Sequence, residues 1–241
     1  MYKVYEFASV AVGVKFNFDY IYKRCKAYET DKKPQIEIEL RGKDIEFEKA
    51  TFLKERNRSC TFTDGYLEYI AFYRKFVIKA IERNVILFHG SAIKYKDRAY
   101  IFVAPSGTGK STHVRGIKSI FNDEIICLND DKPLIKIEND KVFVYGSAWD
   151  GKHRLSTNDY AELGAICCLN RGEKNSIHKL TEKDAVLGLL LQSYRPTDEK
   201  SSSKYFSLIT KVLKYPVFKL YCNISKEAYT LSLLTMSKEY E

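Results

Sequence analysis

The segment Ala104-Pro105-Ser106-Gly107-Thr108-Gly109-Lys110-Ser111 carries residue types suited to one task, holding a polyphosphate. Its glycines let consecutive backbone N–H groups curl around an anion, and a helix starting there adds its positive dipole end. The lysine neutralises the outer phosphate oxygens, and the serine hydroxyl is a hard ligand for Mg²⁺. The pattern G-x-x-x-x-G-K-[ST] is met except at its first position, where Ala104 stands for glycine. Alanine is the mildest replacement there while the backbone stays in an ordinary region. A chance Gly-Lys-Ser in a surface turn is the bland alternative, and the apolar strand Ala99–Val103 directly ahead speaks against it. Ser106, Gly107, Thr108, Gly109, Lys110, Ser111 and Thr112 are therefore the expected nucleotide contacts, with ATP and Mg²⁺ the expected ligands.

A second group follows the next apolar run. Ile125-Ile126-Cys127-Leu128 ends in Asn129-Asp130-Asp131. Adjacent strands of an α/β sheet end at the same edge, so these acids are expected to face the phosphates of the loop. One carboxylate would complete a Mg²⁺ shell and the other accept a proton from an attacking hydroxyl. Asn-Asp-Asp is also good turn chemistry and needs no function to explain it. His89 ends the strand ahead of the loop hairpin, where a histidine is more often structural. Gly146 to Arg154 holds the only tryptophan, Trp149, with Lys152, His153 and Arg154. That composition predicts a loop meeting phosphate or substrate, or a surface turn anchored by a buried Trp.

The elements that would position these residues follow from apolar spacing. Helical periodicity covers Tyr66 to Arg83, with Asp64 as the expected N-cap and Asn84 as its end. Strands are expected at Val85–Phe88, Ala92–Ile93, Ala99–Val103, Glu124–Leu128, Leu163–Leu169 and Val217–Cys222. Leu134–Glu138 and Val142–Gly146 form an expected hairpin around Asn139-Asp140. Helices are expected at Thr112–Phe121, Glu182–Tyr194, Lys200–Leu213 and Lys226–Lys238, with Thr181 and Ser225 as N-caps of the second and last. Residues 1–62 alternate in short stretches, among them Val10–Val14 and Gln35–Leu40, and read as a small strand-rich α+β region.

The 241 residues are 45% apolar and 14% aromatic, enough for a packed core. No apolar run is long enough to span a membrane, and the first residues lack the layout of a secretion signal, so a cytoplasmic protein is expected. Cys25, Cys60, Cys127, Cys167, Cys168 and Cys222 show no metal or redox spacing and read as free, buried thiols. The net charge of +9 suits phosphate handling, but the lysines are spread along the chain, which speaks against a nucleic-acid partner.

His89-Gly90 ahead of a strand pair, Ser106 to Ser111, and Asp130-Asp131 at a strand end together resemble the catalytic domain of HPr kinase/phosphorylase and its relatives, which share a core with ATP-dependent phosphoenolpyruvate carboxykinase. The resemblance covers about residues 85–170. It implies an α/β fold, a mixed sheet with a P-loop nucleotide-binding core, as the catalytic domain of residues 63–241 behind a small N-terminal region, 1–62. It also implies phosphoryl transfer from ATP to a hydroxyl, often a serine of a peptide or small protein, and possible assembly into a homo-oligomer. Lys110 would hold the phosphates, and Ser111 and Asp131 are the candidates for the metal. Of Asp130 and Asp131 one would be the base, and the sequence leaves open which. His89 would lie near the γ-phosphate, and Lys152 or Arg154 would steady the transferring group or the substrate. The loop by which the bifunctional enzymes act on HPr is not visible, and Gly-Ser-Ala-Trp-Asp-Gly-Lys stands in that part of the chain. A peptide, small protein or small hydroxyl compound is therefore the expected acceptor rather than HPr. A catalytically inactive nucleotide-binding scaffold is the competing reading, and a site that keeps its acid pair and His89 speaks against it.

Overall fold

Ala8 and Ser9, both at positive φ, turn strand β1 (Tyr2–Phe7) back into β2 (Val10–Lys15). Strand β3 (Ile36–Glu39) joins β2 in parallel, its Ile-Glu-Ile-Glu alternation burying the isoleucines and exposing the acids. Three helices accompany this sheet: α1 (Asp19–Cys25), α2 (Gly42–Arg56) and α3 (Asp64–Ala80). The computed structural model describes residues 1–56 and 62–240, so Cys60 lies outside the described residues.

Thr63, not Asp64, caps α3: its side chain accepts from the Tyr66 N–H at 3.3 Å. Asp64 sits one position later, inside the first turn, where its charge still suits the helix dipole. The inward side of α2 carries Asp44 and Glu48 beside Ile45. Both acids are paired with α3, Glu48 accepting from Arg74 at 2.6 Å and Asp44 from Lys75 at 2.7 Å. The chain divides into compact units at Arg83/Asn84, so α3 belongs to the first unit and the expected boundary after residue 62 falls within it. The reason is the apolar face of α3, including Phe72 and Phe76, whose rings meet Phe7 of β1.

The second unit begins with β4 (Val85–Leu87), β5 (Gly90–Tyr95) and β6 (Arg98–Val103). After a glycine-rich loop come α4 (Lys110–Phe121), β7 (Ile125–Asn129), β8 (Leu134–Glu138), β9 (Lys141–Tyr145) and the long β10 (Tyr160–Arg171). The chain then forms β11 (Ser176–Lys179), α5 (Glu182–Leu191), α6 (Glu199–Val212), β12 (Val217–Cys222) and α7 (Lys226–Ser237). Among the described residues the strands make one mixed nine-stranded sheet, ordered β4-β8-β9-β10-β6-β5-β7, with β12 on β10 and β11 on β12. Strand β10 is twelve residues long because it serves two neighbours on one side: its start pairs antiparallel with β9, its end parallel with β12. The fold is thus mixed α/β with a separate three-stranded sheet.

Helices α4 and α7 cover one face of this sheet. Val114 and Ile117 of α4 and Leu233 and Met236 of α7 pack against Phe102, Cys167 and Leu220. Fully burying one such side chain contributes about 1.5–3 kcal/mol. Thr181 and Ser225 cap α5 and α7 as expected, each accepting from an N–H three residues on. Cys25, Cys127 and Cys167 are buried free thiols, whereas Cys168 and Cys222 are half-buried. No helix among the described residues is long and apolar enough to cross a membrane.

Candidate functional site

Strand β5 runs antiparallel to both β6 and β7, so those two strands point the same way and end at one sheet edge. The register makes this concrete: Gly90 pairs with Val103 and Ala92 with Asn129. The start of β5, preceded by His89, therefore lies between the glycine-rich loop after Val103 and the acid turn after Asn129. One sheet edge carries all three.

Gly107 and Gly109 adopt φ of +80° and +118°, a region that side chains disfavour. Ala104 is not among the residues at positive φ, so its methyl group is tolerated in place of the motif's first glycine. The N-cap of α4 is Gly109, so no side chain caps the first-turn N–H groups. Lys110 is buried, its ammonium donating to the Ala104 carbonyl at 2.8 Å. Burial pushes its pKa down, and the charge of Asp131 partly opposes that shift. Ser111 Oγ faces the Asp130 carbonyl at 3.4 Å. Ser106 and Gly107 stand exposed, and Thr112 is half-buried on the first turn of α4.

The acid turn is held from within. The Asn129 side-chain oxygen accepts from the N–H groups of Asp131 and Lys132 at 2.8 and 2.6 Å, and its amide donates to Ser147. Ser91 Oγ donates to the Asp130 carbonyl at 2.9 Å. The two carboxylates then diverge electrostatically. Asp130 is 3% exposed; Oδ1 accepts from the Gly151 N–H at 2.6 Å, and Oδ2 has no hydrogen-bond partner. Burial raises its pKa, the Gly151 N–H opposes, and the charges of Asp150 and Asp131 add to the rise. Asp131 meets His89 Nε2 at 3.3 Å and is paired with the Lys132 ammonium. Burial alone would raise its pKa, but the hydrogen bond from His89 and the charge of Lys132 outweigh it, to about 2. One acid is biased toward its proton, while the other is held ionised.

The loop after β9 is tied to this turn. Gly151 lies so close that a Cβ there would stand 2.9 Å from Asp130 Oδ2, so a larger residue would have to displace that carboxyl group. Trp149 is buried and anchors the segment, while the side chains of Lys152 and Arg154 stand exposed and, among the described residues, make no hydrogen bond or ion pair with the loop or the acids. His113 is a core group: burial pushes its pKa down to about 4, and it meets Ser232 Oγ at 2.8 Å.

Two residues escaped the sequence reading. Asp150 places a third carboxylate charge on Asp130. Arg171, at the end of β10, donates to the carbonyls of Gly107 at 2.6 Å and Thr108 at 3.4 Å, so it steadies the loop from outside. The only sequence signal for either was charge at a strand end or beside a glycine. Arg171→Ala is expected to loosen the loop by about 1 kcal/mol, a roughly fivefold easier opening, because one charged donor is lost at an exposed site. Hydrogen exchange at the loop amides would show it as roughly fivefold faster exchange; unchanged exchange would refute a positioning role.

No protein-family model matches the sequence, and no curated protein matches it. Among solved structures, that of the HPr(Ser) kinase/phosphatase from Coxiella burnetii superposes with a TM-score of 0.39 at 10% identity, over 64% of this chain and 89% of that one. At that level the overlap fixes neither the family nor the chemistry of this chain.

Proposed function

We propose that the chain is an ATP-dependent kinase that transfers the γ-phosphoryl group to a hydroxyl acceptor, a serine of a peptide or small protein. The observation that carries this reading is the convergence of Lys110, the acid turn and His89 at one sheet edge, close enough for the Asp131 charge to act on the Lys110 ammonium. Nucleotide binding alone would need the loop but not a buried acid with a free oxygen beside it.

In this reading the loop amides and Lys110 take the β- and γ-phosphates; when they arrive, the ammonium leaves the Ala104 carbonyl for the phosphate oxygens. Asp130 is the base. Burial raises its pKa, and its Oδ2 is buried without a hydrogen-bond partner. The acceptor hydroxyl gives its proton to Asp130, its oxygen bonds to the γ-phosphorus, the bond to the bridging oxygen breaks, and ADP leaves with that electron pair. His89, held by Asp131, lies beside the transferring group. Lys152 and Arg154 are candidates to steady the acceptor, since the loop that carries them is anchored to Asp130 through Gly151.

Among the described residues no group of three His, Cys, Asp or Glu side chains could hold a metal on its own. Mg²⁺ does not need one, since it binds through one or two carboxylates with phosphate oxygens and water. The hydroxyl of Ser111 and the ionised Asp131 are hard oxygen donors that fit it, and the ion would supply neutralisation of charge on the phosphates. Incubation with γ-labelled ATP, Mg²⁺ and serine-containing peptides or small hydroxyl compounds is expected to give labelled acceptor. Clean ATP binding with no transfer to any acceptor would favour the inactive scaffold.

A further inference from the structure

The three-stranded sheet of the first unit has two edges, and they are finished differently. Along β1 the chain's own backbone supplies the next contact: Thr30 N–H donates to the Val4 carbonyl at 3.1 Å, and Glu29 bridges Tyr5. Along β3 side chains do it. Leu40 N–H donates to the Lys15 carbonyl, which fixes the parity of the strand: Ile36 and Ile38 turn their backbone groups to β2, and Glu37 and Glu39 turn theirs outward. The outward carbonyls accept from cations of α3, Glu39 from Lys75 and Glu37 from Lys79, each at 2.9 Å. At the bend into the strand the Gln35 carbonyl accepts from Arg83, just past the end of the helix, at 3.2 Å. The match is geometric. Residues four apart on a helix advance about 6 Å, and residues two apart on a strand about 6.6 Å, so one cation meets every second residue.

We propose that the outer edge of β3 takes up an extended acidic peptide as a fourth strand, with Lys75, Lys79 and Arg83 turning from the strand carbonyls to the carboxylates of the peptide. Charge chooses the occupant. Lys79 and Arg83 stand exposed, and bonds of exposed cations add little stability, so an incoming strand displaces them at small cost. Cations set along a strand edge repel a second copy of the same edge, because like charges would then face each other. A strand with Asp or Glu at every second position is accepted instead. Its N–H groups replace the cations on the Glu37 and Glu39 carbonyls, and its acids meet the freed cations. The acids of β3 do not compete. Glu39 is engaged by Arg41 at 2.5 Å and Lys15 at 3.3 Å, and Glu37 by the Tyr2 hydroxyl at 3.1 Å. Lys75 keeps a second partner, Asp44 at 2.7 Å, so Lys79 and Arg83 carry most of the selectivity.

The probe is a short fluorescein-labelled peptide of alternating Glu and Thr, read by anisotropy, with the same peptide carrying Lys for Glu as control. The acidic peptide is expected to bind and the basic one not, with affinity falling as salt rises. Charge reversal, Lys79→Glu together with Arg83→Glu, should weaken binding by about tenfold or more. Glu37→Pro removes one outward N–H and leaves the cations in place, at an edge position where proline is tolerated. It should weaken binding by about fivefold. Hydrogen exchange followed by NMR on the wild-type chain should show the Glu37 and Glu39 amides slowed by the peptide. No binding of the acidic peptide, or binding indifferent to the charge reversal, would overturn the proposal. So would binding that survives Glu37→Pro with those amides exchanging at their free rate, since the edge would then be a patch of charge and not a strand partner. Should Glu37→Pro lose its thermal unfolding transition, amide exchange in the wild type decides alone.

Discussion

On the kinase reading, replacing Lys110 with alanine is expected to abolish any stabilisation of the folded chain by Mg-ATP, and all phosphoryl transfer with it. The ammonium is buried and bonded only to the Ala104 carbonyl among the described groups, which is a poor counterpart for a charge removed from water. Burial pushes its pKa down for the same reason. The fold therefore gains little from this charge, whereas four phosphate charges would gain much. Wild type at ATP a hundredfold above its dissociation constant should be stabilised by about 2.7 kcal/mol, and Lys110→Ala by none. Without nucleotide the variant should melt at or slightly above the wild-type temperature, since a desolvated charge has gone and only a small cavity is left. Thermal unfolding with and without Mg-ATP checks both halves. An equal ATP shift in the two proteins would remove the loop from the site.

The strand-loop-helix around Lys110 was readable because every feature of it is local: an apolar run, then glycines at the two positions with positive φ, then helical spacing. The same holds for β7 and for the Asn139-Asp140 turn between β8 and β9, where both residues take positive φ. What brings His89 to the acids is not local. It depends on β5 lying antiparallel between β6 and β7, so that the beginning of one strand meets the ends of two others. Helix α2 was missed because its inward side carries Asp44 and Glu48, which pair with α3 and erase the apolar stripe that marks a helix. Arg171 reaches the loop because β10 runs parallel to β6 and continues past the residue paired with Val103. No apolar period encodes that. Sequence therefore showed which groups could do chemistry, while the pairing of strands decides which of them share a space.

The two acids should separate cleanly under substitution. Asp130→Asn keeps the shape, and its loss of charge comes at a group already biased toward the neutral form by burial. Folding and nucleotide affinity should stay within about twofold, and affinity could even rise as one negative charge near the triphosphate is removed. Turnover should fall by about 10²–10⁴, the usual contribution of a positioned base. Asp131→Asn breaks the pairs with His89 and Lys132, leaving the imidazole and the ammonium facing an amide at a partly buried site. It should therefore cost stability as well as turnover, and should raise the Mg²⁺ concentration needed for half-maximal activity. Single-turnover transfer, nucleotide titration and thermal unfolding on both variants would resolve these effects. A Mg²⁺ requirement shifted by Asp130→Asn and untouched by Asp131→Asn would exchange the two roles. If both variants and Lys110→Ala lost binding and turnover in the same proportion, no base would be left to assign, and the site would be one that holds a nucleotide without using it.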